Sequence, residues 1–166
     1  MRIGNHRLRD HIRLLIPLLA FVAGVWALRM ILSIADSPNW MIRITSVTTA
    51  TSVAVLLAVL LIHIRRFGGY VNVVVAALLL NIWSQCLIVA AILFTTLTTI
   101  RNVYTAPEFS IPGDSEAHVR HIYGHLTYGI GVGTLVGAAF GCLLLAILRV
   151  LLPSRPAAPN WEARLH

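Results

Sequence analysis

Four long apolar stretches constrain this 166-residue chain more than any other feature of its sequence. They run approximately over residues 14–34, 44–64, 70–100 and 123–152. A helix of about 20 apolar residues crosses the roughly 30 Å of hydrocarbon in a bilayer. We therefore predict an all-α polytopic membrane protein whose four transmembrane helices form an up-down antiparallel bundle.

The overall composition agrees with a membrane protein. The chain is 58% hydrophobic and only 11% charged, whereas a soluble domain is about 25% charged. Its mean hydropathy is +0.82. We predict one transmembrane domain over residues 14–152, preceded by a basic segment at 1–13 and followed by a Pro- and Ala-rich tail at 153–166 without fixed structure.

The positions of the basic residues predict the orientation in the membrane. All 13 basic residues are Arg, and the net charge is +7. Most of them lie before the first stretch, between the second and third, or at and beyond the end of the fourth: Arg2, Arg7, Arg9, Arg13, Arg65, Arg66, Arg149, Arg155 and Arg164. By the positive-inside rule both termini are cytoplasmic, and the loop at 101–122 is external. This pattern favours membrane lipids over nucleic acid as partners, and a bacterial inner membrane as the location.

The first stretch could be mistaken for a cleavable signal peptide. Ser33, Ile34 and Ala35 resemble a cleavage site after a basic start and an apolar run. However, the run is about 19 residues long, whereas a signal core has 7–15, and Arg29 interrupts it. We expect this stretch to be retained as a membrane span.

Four glycines in the fourth stretch recur at every fourth residue, and we call Gly129, Gly133, Gly137 and Gly141 the glycine stripe. Each Gly costs about 1 kcal/mol relative to Ala inside a helix. Such a stripe is typical of helices that cross closely, as in GxxxG packing. The facing helix could be the second or third span, a second copy of the chain, or another subunit.

Neutral polar residues gather in the half of the spans that we expect to be external. Their hydroxyls could bond to carbonyls of their own helix or to a neighbouring helix. Asn81 and Gln85, four residues apart, could join helices by hydrogen bonds. Alternatively, these residues form a polar cavity for a lipid headgroup, a quinone or a small solute. The candidates for this cavity are Thr48, Thr49, Thr51, Asn81, Gln85, Thr95, Thr98 and Tyr128.

Three histidines precede the fourth stretch in the pattern H-x-x-H-x-x-x-H, at His118, His121 and His125. On a helix they share one face and could bind a metal, although polar residues are also common at a membrane boundary. A haem held between His63 and His125 is disfavoured, because these two residues lie at opposite ends of their spans. We therefore predict no cofactor, and keep the metal or haem site as an alternative.

The sequence shows no recognisable catalytic pattern. No Asp or Glu lies within a span, and no phosphate-binding glycine loop is present. The pattern therefore favours a structural or interaction protein, either an accessory subunit of a larger membrane complex or a self-associating bundle, rather than an enzyme. A small transporter or lipid- or quinone-binding protein is the first alternative, and a metal- or haem-binding redox protein is the second.

Overall fold

The computed structural model describes residues 2–105 and 116–152. Four of its helical segments are long and apolar enough to cross a membrane: Leu8–Ile34, Asn39–Ile64, Tyr70–Thr98 and Ala117–Leu151. The prediction of an all-α integral membrane protein with four spans is confirmed. The tail at 153–166 and residues 106–115 of the loop at 101–122 lie outside the described residues.

Six α-helices, one π-helical turn, one 3-10 turn and a short hairpin make up the described residues. The α-helices are α1 (Leu8–Ile34), α2 (Asn39–Ile44), α3 (Val47–Ile64), α4 (Tyr70–Thr98), α5 (Ala117–Gly124) and α6 (Ile130–Leu151). The 3-10 turn is Val103–Thr105, the π turn is His125–Gly129, and strands β1 (Arg2–Ile3) and β2 (His6–Arg7) form the hairpin.

The chain before α1 folds back on itself as an antiparallel hairpin. Ile3 pairs with His6 across a two-residue turn. The turn residues Gly4 and Asn5 have φ values of +56° and +72°, which is the left-handed conformation that tight hairpin turns require. Helix α1 then begins at Leu8, before the predicted span, and continues through Pro17.

The second span is interrupted near its start. Helix α2 ends at Ile44 and α3 begins at Val47. Ser46 caps α3, because its hydroxyl accepts a hydrogen bond from the Thr49 N–H at 3.4 Å. A Ser or Thr at this position satisfies a backbone donor that the helix itself cannot satisfy.

Helices α3 and α4 occupy the centre of the bundle, and each packs against both α1 and α6. Small and β-branched side chains form their contact surfaces, among them Ala54, Ala58, Val59, Val73, Ala76 and Ala77. The fourth span is the most peripheral. Only 11% of its most apolar part is buried, against 44% for the second and third spans.

The fourth span is one continuous helical segment of 35 residues, built from α5, the π turn and α6. It begins at Ala117, before the predicted boundary, and at 1.5 Å per residue it is about 52 Å long. A π turn contains one extra residue and often occurs at functional sites. Here it includes His125 and ends at Gly129, the first residue of the glycine stripe.

Candidate functional site

The glycine stripe lies against α4, and its first half faces two amide side chains. A Cβ atom added at Gly129 would lie 2.7 Å from Gln85 Oε1, which is closer than real Cβ atoms approach. A Cβ atom at Gly133 would overlap Asn81 Oδ1. Both positions therefore have room for glycine alone unless the amide moves.

The second half of the stripe faces aliphatic side chains of α4 and α3. A Cβ atom at Gly137 would lie 3.5 Å from Ala77 Cβ, an ordinary contact. One at Gly141 would lie 2.8 Å from Val73 Cγ1 and 3.2 Å from Val59 Cγ2. By contrast, Gly131 lies off the stripe and has no neighbour within 4 Å of an added Cβ. The close approach thus follows the stripe, and its partners belong to the same chain.

A cavity of about 410 Å³ opens between α3, α4 and α6, beside the middle of the stripe at Gly133 and Gly137. Four of the predicted cavity residues line it: Thr48, Thr51, Asn81 and Gln85. Ser52 and Ser84 add two more hydroxyls to the lining. Both serines lie next to residues that sequence reasoning selected, so helical periodicity on α3 and α4 could have found them.

The other predicted cavity residues do not line this cavity. The Thr98 hydroxyl donates to the Phe94 carbonyl at 2.7 Å, and Thr95 accepts a hydrogen bond from Asn102 Nδ2 at 2.7 Å. The Thr49 side chain is exposed. Tyr128 lies on the surface with 74% of its area exposed.

Three of the cavity hydroxyls donate their protons to the backbone of their own helices. Thr51 Oγ1 donates to the Val47 carbonyl at 2.8 Å, and Ser84 Oγ donates to the Asn81 carbonyl at 3.0 Å. Ser52 makes the same type of bond. Because each hydroxyl oxygen has two lone pairs, these groups remain available as hydrogen-bond acceptors for a ligand.

The two amides supply the remaining polar groups of the cavity. Asn81 Nδ2 donates to the Ala77 carbonyl at 2.9 Å, and Gln85 Oε1 accepts from His125 Nδ1 at 2.6 Å. Asn81 Oδ1 and Gln85 Nε2 have no hydrogen-bond partner among the described residues. The cavity therefore offers one amide donor and one amide acceptor, besides the hydroxyl acceptors, within a mostly apolar wall.

Two of the three candidate metal-binding histidines are within hydrogen-bond distance of each other. His125 Nε2 lies 3.0 Å from His121 Nε2. Since Gln85 Oε1 can only accept a hydrogen bond, His125 Nδ1 is the donor, and His125 Nε2 accepts from His121. Both nitrogens of His125 are thus occupied by hydrogen bonds. His118 takes no part in this chain, and no group of three potential metal ligands was found within residues 2–105 and 116–152.

Comparisons with known proteins were made at three levels. No family model, no curated protein and no solved structure matches the chain. The geometry of the cavity and of the helices around it is therefore the basis for a functional assignment.

Proposed function

We propose that the protein binds an amphiphilic molecule, a lipid or a quinone, in the cavity between α3, α4 and α6. The observation that carries this proposal is an apolar cavity of about 410 Å³ with two amides and several hydroxyls at its wall. Ligand sites are typically pockets of about 300–1,000 Å³ that are mostly apolar and contain a few well-placed polar groups.

The chemistry of the wall defines the kind of ligand. Gln85 Nε2 can donate to a carbonyl oxygen, and Asn81 Oδ1 can accept from a hydroxyl group. No charged residue lines the cavity. The ligand is therefore a neutral molecule whose polar end carries a carbonyl or a hydroxyl group.

The apolar body of the ligand follows α6. Val136 and Phe140 line the cavity and are 49% and 63% exposed on the outer surface of the bundle. An acyl or prenyl chain can leave the cavity along these side chains and enter the surrounding lipid. Binding of an apolar chain here is favoured, because the chain covers mostly apolar wall and leaves few polar atoms of the wall without a hydrogen-bond partner.

Photoaffinity labelling tests this function directly. The purified protein is labelled with diazirine-bearing fatty-acid and quinone analogues, and the labelled peptides are mapped by mass spectrometry. The fatty-acid analogue is used as its neutral monoacylglycerol ester, to match the uncharged wall of the cavity. We expect labels in residues 132–140, and a loss of affinity of about tenfold in Asn81→Leu and Gln85→Leu, since each variant removes a hydrogen-bonding group. Thr49→Val is the matched control, because the Thr49 side chain lies outside the cavity. Labelling that is unchanged in both amide variants would overturn the proposal.

The peripheral position of the fourth span favours a second candidate function, that of an accessory subunit or a self-associating bundle. With only 11% of its most apolar part buried, this span has the largest free surface for a partner helix. The exposed large apolar side chains on α6 are Val132, Leu135, Val136, Phe140, Leu143, Ile147, Val150 and Leu151. Measurement of the protein mass in mild detergent tests this candidate, and a monomer without co-purifying subunits would contradict it.

The orientation in the membrane is also part of the proposal. The arginine pattern and the even number of spans support an antiparallel bundle with both termini in the cytoplasm of a bacterial cell. A green fluorescent protein fused after residue 166 is then expected to fluoresce, and an alkaline phosphatase fused at the same position is expected to be inactive. The reverse result would contradict this orientation.

A further inference from the structure

Arg29, on the first span, has no compensating acid among residues 2–105 and 116–152. Its guanidinium carbon lies 5.3 Å from the centre of the Tyr104 ring, over the ring face. Asp36 lies only seven residues further on, but Arg29 makes no ion pair within the described part of the chain. A charged residue inside a membrane protein is costly and usually has a partner.

Two further polar groups beside Arg29 also lack partners. Trp26 Nε1, Arg29 Nε and the Tyr104 hydroxyl are buried without a hydrogen-bond partner in the described part of the chain. Trp26 and Arg29 are three residues apart on α1, so they lie on the same face of this helix. Buried polar groups in proteins nearly always have a partner. All three of these groups can donate a hydrogen bond.

The loop after α4 holds Tyr104 in this position. Asn102 Nδ2 donates to the Ala91 carbonyl at 2.9 Å, and Asn102 Oδ1 accepts from the Tyr104 N–H at 2.9 Å. The Tyr104 side chain is only 8% exposed. This burial raises the pKa of Tyr104 to about 12, against the opposing effect of the Arg29 charge. The phenol is therefore protonated and able to donate at neutral pH.

We propose that Trp26, Arg29 and Tyr104 form a binding site for an oxyanion of the phosphodiester or phosphate type. One positive charge and three unpartnered donors select a ligand that is negatively charged and rich in acceptors. Arginine suits phosphate because its planar fork of donors matches the phosphate oxygens. None of the three residues lines the cavity between α3, α4 and α6, so this site and the proposed amphiphile site can fail independently.

Two sources could supply this anion: the headgroup of an anionic lipid, or free phosphate. Titration of the full-length protein in detergent, followed by native mass spectrometry, measures binding of phosphatidylglycerol against phosphatidylcholine. We expect the wild type to retain one phosphatidylglycerol with an affinity about tenfold above that for phosphatidylcholine, as charge-assisted hydrogen bonds require. In Arg29→Gln this preference disappears. Tyr104→Phe lowers it by a smaller factor, because only one donor is lost.

Arg101→Gln is the matched control, since Arg101 is an exposed arginine on the same loop as Tyr104 and the variant is expected to keep the wild-type preference. Added inorganic phosphate separates the two sources. Displacement of phosphatidylglycerol by phosphate, together with a higher unfolding temperature of the wild type, would identify free phosphate as the ligand, and no displacement would identify the lipid. Equal affinity of the wild type for both lipids, with no response to phosphate, overturns the proposal even if Arg29→Gln fails to fold. A preference that survives in a folded Arg29→Gln also overturns it.

Discussion

The two halves of the glycine stripe have the same spacing but different surroundings. Gly129 and Gly133 face the amides Gln85 and Asn81 beside a cavity, whereas Gly141 faces Val73 and Val59 in a closely packed contact. Glycine thus serves two purposes on one helix. In the first half it leaves room for polar side chains, and in the second half it lets two apolar helix surfaces meet. We therefore expect substitutions in the second half to lower stability, and those in the first half to impair ligand binding.

The largest loss of stability is expected for Gly141→Val. Its Cβ would lie 2.8 Å from Val73 Cγ1, and overpacking of this kind costs about 1–3 kcal/mol. The free energy of unfolding in detergent, measured by titration with sodium dodecyl sulfate, checks this value. Gly131→Val is the control, because nothing lies within 4 Å of an added Cβ there. Equal stability of the two variants would remove the distinction between stripe and non-stripe glycines.

A smaller loss of stability is expected for Gly133→Ala. The added methyl group would meet the end of the Asn81 side chain, which can rotate at the expense of its hydrogen bond to Ala77, worth about 1 kcal/mol. Affinity for the photoaffinity ligand should fall at the same time, because the Asn81 amide no longer has its original position in the cavity. Gly131→Ala serves as the control for both measurements. A variant that loses stability but binds ligand normally would place Asn81 outside the binding site.

The hydrogen bond between Gln85 and His125 is expected to contribute less. Hydrogen bonds between transmembrane helices average about 0.6 kcal/mol in double-mutant cycles. A cycle with Gln85→Leu, His125→Leu and the double variant isolates this coupling from the cost of each single change. A coupling energy of zero would show that the hydrogen bond between Gln85 and His125 does not stabilise the packing of the fourth span on α4.

Thr51→Val is expected to change stability least. The Thr51 hydroxyl donates to the carbonyl of Val47 in its own helix, and the substitution keeps the shape of the side chain. Because such a bond within one helix adds little to stability, the free energy of unfolding should change by about 0.5 kcal/mol, the low end for a hydrogen bond. Ligand affinity should still decrease, because one acceptor is lost from the cavity. If instead Thr51→Val lowers the free energy of unfolding by more than Gly133→Ala does, the Thr51 hydroxyl stabilises the fold.

Hydropathy and length were sufficient to predict the four spans, since apolar stretches of this length are specific to membrane helices. The glycine stripe was sufficient to predict a close approach, but not its partner, because a groove in one helix carries no information about which surface fills it. Depth in the membrane selected the threonines, and the four-residue spacing selected Asn81 and Gln85. Of these residues, the structure places Thr48, Thr51, Asn81 and Gln85 at the cavity. Thr95 was assigned to the cavity from its depth alone, whereas the structure pairs it with Asn102 in the loop.

Two local features could not be derived in the same way. The contact between His125 and Gln85 involves the π turn, which has no compositional signal. The extra residue of a π turn rotates the preceding side chains around the helix axis, relative to an uninterrupted α-helix. The hairpin before α1 did have a signal, since Gly4 and Asn5 are typical turn residues between two short extended segments. This turn signal was not used, because the regular spacing of apolar residues that begins at Leu8 indicates a helix instead.

That hairpin also bears on the order in which the chain assembles during synthesis. The ring of His6 stacks on Phe67 at 3.9 Å, and the buried His11 bonds to Asn72 at 2.9 Å. Phe67 and Asn72 are made about 60 residues later than their partners, Phe67 in the turn before the third span and Asn72 at the start of that span. His6 and His11 therefore remain without these contacts until two spans have been inserted and the third has begun.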